Sequence, residues 1–183
     1  KTGIEAIVEE PAGMLRVEEI ATASDRIETL VFGVADYGAA MRMPSRGASG
    51  HGEDDPDYPG HKWHYPLSRL LMAARAVGAQ GIDAPYGDHR DMQGLEISCR
   101  RSASLGYDGK WAVHPDQVPV INRIYSPHQE EYDRCRRVLD AYEQARRQGQ
   151  GTVSLDGAMV DAASVRLARE ICAKWEKIRE KSG

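Results

Sequence analysis

The sequence is short of sulfur and of aromatic rings, with three cysteines, three tryptophans and one phenylalanine among 183 residues. Cys99, Cys135 and Cys172 are odd in number and widely separated, which argues against a disulfide framework and against a thiolate metal centre. They read as ordinary, partly buried thiols. Long apolar runs are also missing: the longest, such as Leu70 to Ala74, fall far short of the roughly 20 residues that a membrane span needs. No charged-then-apolar leader opens the chain, and a soluble, cytoplasmic protein is expected. Basic excess is absent too, since 24 Lys and Arg stand against 28 Asp and Glu for a net charge of −4. That balance gives no footprint for nucleic acid. Methionine does not open the chain. It begins Lys1-Thr2-Gly3 and enters a strand pattern almost at once, so it is expected to start in the middle of a domain.

What is present is 41% hydrophobic and 28% charged, the composition of one globular domain. The most informative stretch runs from Ile4 to Tyr37. Ile4-Glu5-Ala6-Ile7-Val8-Glu9-Glu10-Pro11 and Ile27-Glu28-Thr29-Leu30-Val31-Phe32-Gly33-Val34-Ala35-Asp36-Tyr37 are each β-branched and apolar, and each ends in a carboxylate beside a turn residue. Between them Leu15, Val17, Ile20 and Ala21 alternate with Arg16, Glu18 and Glu19 at helical spacing. This predicts a strand-helix-strand unit with Glu9 and Asp36 at the carboxyl ends of parallel strands, where α/β folds bind ligands. Two carboxylates converging there suit a hard divalent cation. Glu10 rivals Glu9 on composition, but strand alternation points the two in opposite directions.

Arg42 to His64 is rich in Gly, Pro and Asp and predicts a long loop. The spacing of His61 and His64, with His51 nearby, raises a zinc site; no Cys or third fixed His accompanies them, and a solvated loop is preferred. A helix is expected from Pro66 to Gly78, a strand over 81–87 that breaks at Pro85, a helix over 88–105 capped by Asp91, and a strand over 109–115. Repeated strand-helix alternation argues a parallel sheet or barrel with helices outside. After a short helix to Tyr125, Ser126-Pro127-His128-Gln129 reads as a capping box that starts a helix to about Arg147. An Asp156-Gly157 turn between apolar residues predicts a hairpin, and Asp161 caps a last helix. The expected division is a barrel portion at 1–125 and a helical extension or lid at 126–183.

Several blocks together resemble the malyl-CoA lyases, within the citrate lyase β-subunit-like enzymes. They are Val8-Glu9-Glu10-Pro11-Ala12-Gly13, Phe32-Gly33-Val34-Ala35-Asp36-Tyr37, Gly109-Lys110-Trp111-Ala112-Val113-His114-Pro115 and Leu155-Asp156-Gly157-Ala158-Met159-Val160-Asp161, with Pro59 to Arg69 similar to the malyl-CoA lyase branch in particular. The resemblance implies a TIM barrel of which these strands are the fifth to eighth, plus the C-terminal lid. It implies Mg²⁺, with Mn²⁺ as the alternative, held by Glu9 and Asp36; the family's metal-binding Glu stands four residues before the Gly, here Gly13. Ala35 and Asp36 would lie against the substrate. Val113 and His114 would meet the pantetheine and thioester of a CoA substrate through backbone and side-chain contacts. Asp161 would be the catalytic base, contributed across a subunit interface of a trimer or hexamer. His114 ranks behind it as a base. Trp111 is read as core rather than an adenine platform, and Lys110 as an exposed lysine ahead of a CoA-phosphate contact.

The implied reaction is reversible cleavage of (3S)-malyl-CoA, and of β-methylmalyl-CoA, to glyoxylate and acetyl-CoA or propionyl-CoA. The family's first four strands carry a substrate-binding Arg that these residues lack. The alternatives are therefore a non-catalytic half-barrel that binds CoA or a partner chain, and a related citramalyl-CoA lyase or malate synthase.

Overall fold

The structure is a computed structural model that describes residues 2–44 and 62–182. His51 and His61, on which the zinc alternative rested, lie outside the described residues. The chain divides into two compact units, Lys1–Tyr125 and Ser126–Gly183.

The first unit begins with β1 (Ile4–Val8), then α1 (Pro11–Leu15) and α2 (Val17–Thr22), which part at Arg16, where φ is −121°. Next come β2 (Ile27–Phe32) and α3 (Val34–Ala40), then α4 (His64–Ala76), β3 (Gln80–Asp83), α5 (Met92–Leu105) and β4 (Gly109–Lys110). A 3₁₀ turn at Pro115–Gln117 leads into α6 (Val118–Tyr125). The four strands pair in parallel in the order β1-β2-β3-β4. A doubly wound sheet reverses its strand order partway, whereas a barrel adds each strand beside the last. Right-handed crossovers between sequential parallel strands place all the helices on one face. That is the barrel arrangement.

The strand register separates the two faces. Ala6 pairs with Leu30 and Val8 with Phe32, and the face they share with Gly81 carries the helices. There Phe32 meets the rings of Tyr37 and Trp63 edge-on, and Leu30, Leu67, Leu70 and Leu95 are fully buried. Each such side chain contributes about 1.5–3 kcal/mol on removal from water. The other face is set by Ile7, Val31 and Ile82 in register, with Glu5 and Glu9 at either end of the β1 row. Trp111, on this face and just past β4, donates its indole N–H to Glu5 Oε1 at 2.9 Å. The first and fourth strands are thereby tied across the concave side.

Several boundaries differ from the sequence reading. Asp36 does not end β2. The strand stops at Phe32 and Asp36 sits in the first turn of α3. The fourth strand is two residues long rather than seven, because its partner β3 ends at Asp83, opposite Lys110, and His114 caps the 3₁₀ turn that follows. Helix α4 starts at His64, two residues before the expected Pro66. Asp91 does cap α5, accepting from the Gly94 N–H at 2.9 Å, and Gly106 ends that helix in the left-handed conformation with φ of 101°.

The second unit packs α7 (Gln129–Arg147) on α8 (Ala162–Ser182), with an antiparallel hairpin of β5 (Val153–Leu155) and β6 (Ala158–Val160) between them in sequence. Asp156 and Gly157 take φ of 50° and 80°, so the two-residue turn demands a residue tolerant of positive φ at both positions. The capping box expected at Ser126–Gln129 does not form: His128 is the N-cap of α7 and its side chain makes no capping bond. Cys135 and Cys172 are buried in the seam with Ala168. No helix among the described residues is long and apolar enough to cross a membrane.

Candidate active site

Glu9 stands one residue beyond β1, and what holds its side chain in place is the glycine opposite. A Cβ built on Gly33 would lie 2.3 Å from Glu9 Cβ and 2.8 Å from Glu9 Oε2. Only a residue without a side chain lets Glu9 fold over the β2 to α3 junction. Gly33 is fixed there by its own N–H, which donates to the Val8 carbonyl at 3.1 Å, and by its carbonyl, which accepts from Tyr37 at 3.0 Å. Asp36 follows three residues later and is exposed, as is Ala35. Glu10 is the N-cap residue of α1, with extended backbone and no side-chain cap. Because β1 ends at Val8, strand alternation alone does not separate Glu9 from Glu10; in the structure the difference between them is the contact of Glu9 with Gly33.

Among the described residues no group of three or more His, Cys, Asp and Glu side chains could enclose a metal. Two carboxylates with open coordination positions match Mg²⁺, which keeps several waters, better than they match the closed cages of Zn²⁺ or Ca²⁺. In ligand chemistry, the carboxylate oxygens of Glu9 and Asp36 are of the kind that Mg²⁺ takes. Gly33→Ala should push the Glu9 side chain out of its place and weaken Mg²⁺ binding by about 10-fold or more, measured by titration calorimetry on the full-length protein.

Beyond β3 and β4 two loops form a rim. Val113 is 54% exposed and offers its side chain outward. Its backbone N–H, however, donates to Gln117 Oε1 at 2.8 Å, and the His114 N–H points to the same oxygen at 3.4 Å. Both N–H groups are thus engaged within the chain, and the carbonyls and side chains of Val113 and His114 are the groups left for the expected ligand contacts. The His114 Nδ1 accepts from the Asp116 N–H at 3.2 Å as the cap of the 3₁₀ turn, which in the neutral ring leaves the proton on Nε2. His89, from the loop after β3, stacks on His114 with ring centroids 4.8 Å apart.

Lys110 is neither exposed nor available to a phosphate. It lies on the helix-covered face, where Nζ meets Asp83 Oδ2 at 2.7 Å and both side chains are fully buried. Asp83 Oδ1 also accepts from the Ala84 N–H. Cys99 lies in this same core, and burial pushes its thiol up to about 11. Trp111 is half-buried and hydrogen-bonded to Glu5, so it belongs to the concave face rather than to the packed core.

In the second unit Asp161 is partly buried as the residue before α8. Its Oδ1 accepts from the Ser164 N–H at 2.9 Å and from the Ser164 hydroxyl at 3.0 Å. The backbone bond first, and then the hydroxyl, hold its carboxyl below the usual carboxylate range. Sequence reasoning missed Gln117, His89 and the Asp83–Lys110 pair. Of these only Gln117 carried a local signal, a polar residue two positions after Pro115 in a tight turn.

A sequentially ordered parallel sheet, with helices on one face and acids beyond the strand ends, defines an α/β chain of the barrel type. Residues 1–115 match the HpcH/HpaI aldolase/citrate lyase family, and the chain belongs to that family. It is 36% identical over 180 residues to an L-malyl-CoA/β-methylmalyl-CoA lyase of Cereibacter sphaeroides, an alignment that covers 95% of this chain and 57% of that protein. It is 35% identical to the citrate lyase subunit beta of Escherichia coli K12, over 96% of this chain and 54% of that protein. Among solved structures, the protein CitE of Mycobacterium tuberculosis in complex with magnesium, acetoacetate and coenzyme A superposes with a TM-score of 0.76 at 28% identity. That match covers 95% of this chain and 61% of the other. The chain thus spans little more than half the length of the curated relatives it matches.

Proposed function

We propose that this chain supplies the metal-binding part of a Mg²⁺-dependent carbon-carbon lyase that reversibly cleaves (3S)-malyl-CoA to glyoxylate and acetyl-CoA, with β-methylmalyl-CoA as a second substrate. The observation that carries the reading is the seat of Glu9 on Gly33 beside the α3 turn that bears Asp36. The likeness to malyl-CoA lyase over 95% of the chain supports it, as does the magnesium and coenzyme A bound by the M. tuberculosis relative.

Bound Mg²⁺ would act as a Lewis acid on the carbonyl or hydroxyl oxygen of the small oxoacid. Glu9 and Asp36 hold the ion, and Ala35, at the exposed start of α3, offers a small surface against which glyoxylate fits. Val113 and the His114 ring line the path of the thioester through the Val113 side chain and the His114 Nε2–H. Asp161 takes a methyl proton from acetyl-CoA in the synthetic direction and returns it in cleavage. It acts from the second unit of a neighbouring subunit, so the active protein is a homo-oligomer.

The test is to supply the full-length protein with malyl-CoA and follow glyoxylate release with and without EDTA. Mg²⁺-dependent release of glyoxylate and acetyl-CoA is expected. Pyruvate from citramalyl-CoA, with malyl-CoA left uncleaved, would reassign the substrate, and turnover unaffected by EDTA would remove the metal role.

A further inference from the structure

We propose that Gln117 is the positioning residue of the thioester rim, locking the loop after β4 to the loop after β3 so that Val113 and His114 meet the ligand as one rigid edge. The inference rests on the CoA-thioester reading above. The Gln117 side chain is fully buried although it is a primary amide, and a buried amide is tolerated only when its donors and acceptor are met. The oxygen and one N–H of the amide find partners across the two loops. Oε1 accepts from the N–H groups of Val113 and His114, while Nε2 donates to the Tyr86 carbonyl at 2.9 Å. The orientation of the amide is settled by these partners, because a flipped group would set its NH₂ against two backbone N–H groups.

Tyr86 is itself anchored: its hydroxyl donates to Asp91 Oδ2 at 2.7 Å, and Asp91 Oδ1 caps α5 through the Gly94 N–H. One connected series therefore runs from the β4 loop through Gln117 and Tyr86 to the start of α5. His89 stacking on His114 closes the same two loops a second time, nearer the surface. Gln117 faces the two loops and not the solvent, so it acts on a ligand only through the residues it holds. With the backbone donors of Val113 and His114 consumed, the ligand-facing groups are the Val113 side chain and the His114 Nε2–H, and their placement depends on the amide behind them.

The experiment compares wild-type full-length protein with Gln117→Leu and Gln117→Glu by calorimetric titration of acetyl-CoA and by steady-state kinetics. Gln117→Leu should weaken acetyl-CoA binding and raise the thioester KM by about tenfold, with the KM for glyoxylate unchanged. Amide hydrogen exchange at Val113 and His114 should quicken in the same variant. Protonated Glu reproduces both hydrogen-bonding functions of Gln, whereas the carboxylate sets charge against the Tyr86 carbonyl. The affinity of Gln117→Glu relative to wild type should therefore recover as pH falls, and that of Gln117→Leu should not. A folded Gln117→Leu protein that binds acetyl-CoA within twofold of wild type overturns the inference alone, and so does an equal rise in both KM values. If wild type has no affinity for acetyl-CoA, the thioester reading falls and this inference falls with it.

Discussion

Asp161→Asn in the full-length protein should slow exchange of the acetyl-CoA methyl protons by about 10²–10⁴-fold, the range that a positioned base contributes, while Mg²⁺ affinity and melting temperature stay unchanged. The substitution separates the cap that the structure shows from the base role proposed for the same carboxylate. As N-cap of α8, Asp161 needs only a side-chain oxygen to accept from the Ser164 N–H. Asn provides that oxygen equally well, so the cap survives. As base, it needs the negative charge, and Asn has none. A residue that merely capped the helix would leave exchange and turnover untouched, and that result would remove Asp161 from the mechanism. Proton exchange followed by NMR in deuterated water, with a melting curve on the same sample, decides between them. The two bonds from Ser164 hold Asp161 ionised below the usual carboxylate range, so the charged form persists at any pH near neutrality.

Lys110→Met should cost about 3–5 kcal/mol of stability, because it removes the ammonium that meets the fully buried Asp83 carboxylate. The loss should be pH-dependent. A buried carboxylate that has lost its ammonium partner has its pKa raised in the folded state, so the folded protein holds its proton more tightly than the unfolded chain. The variant therefore regains stability as pH falls and loses it as pH rises through the raised value. Adding Asp83→Asn should recover most of the loss, since the amide oxygen can still accept from the Ala84 N–H and carries no charge. Urea midpoints at two pH values for the single and double variants measure this. Equal midpoints for wild type and Lys110→Met would show that the pair is not part of what holds β3 to β4.

Much of the architecture was legible because it is periodic. Of the apolar stripe Leu67, Leu70, Leu71, Ala74 and Val77, which recurs at helical spacing, the first four are buried, while Val77 at the C-cap of α4 is 40% exposed. The alternation of strands and helices argues a parallel sheet or barrel, and the four strands pair in parallel. The site was only partly legible. Asp36 was placed on a strand because Gly33-Val34-Ala35 continues the apolar run, yet Gly33 ends the strand by giving its position to the Glu9 side chain, and a helix begins. Chain order carries no sign of that contact, which joins residues 24 positions apart. Lys110 and Asp83 fail for a similar reason. Each alone reads as surface charge, and only their register on adjacent strands makes burial tolerable. Gln117 gives no sign in the sequence of its burial, which depends on the Tyr86 carbonyl from another loop.

The bond between Trp111 and Glu5 bears on the order in which the first unit assembles. Each strand pairing joins neighbours along the chain, so the sheet can grow by accretion, one strand docking on the last. The Trp111–Glu5 bond joins residues 106 positions apart and is satisfied only when all four strands have taken up their curvature. Contacts between such distant positions carry the greatest closure entropy and are slow to form. Indole emission from position 111 should therefore be the last optical signal to reach its native value during refolding, which makes this tryptophan a natural clock for completion of the sheet.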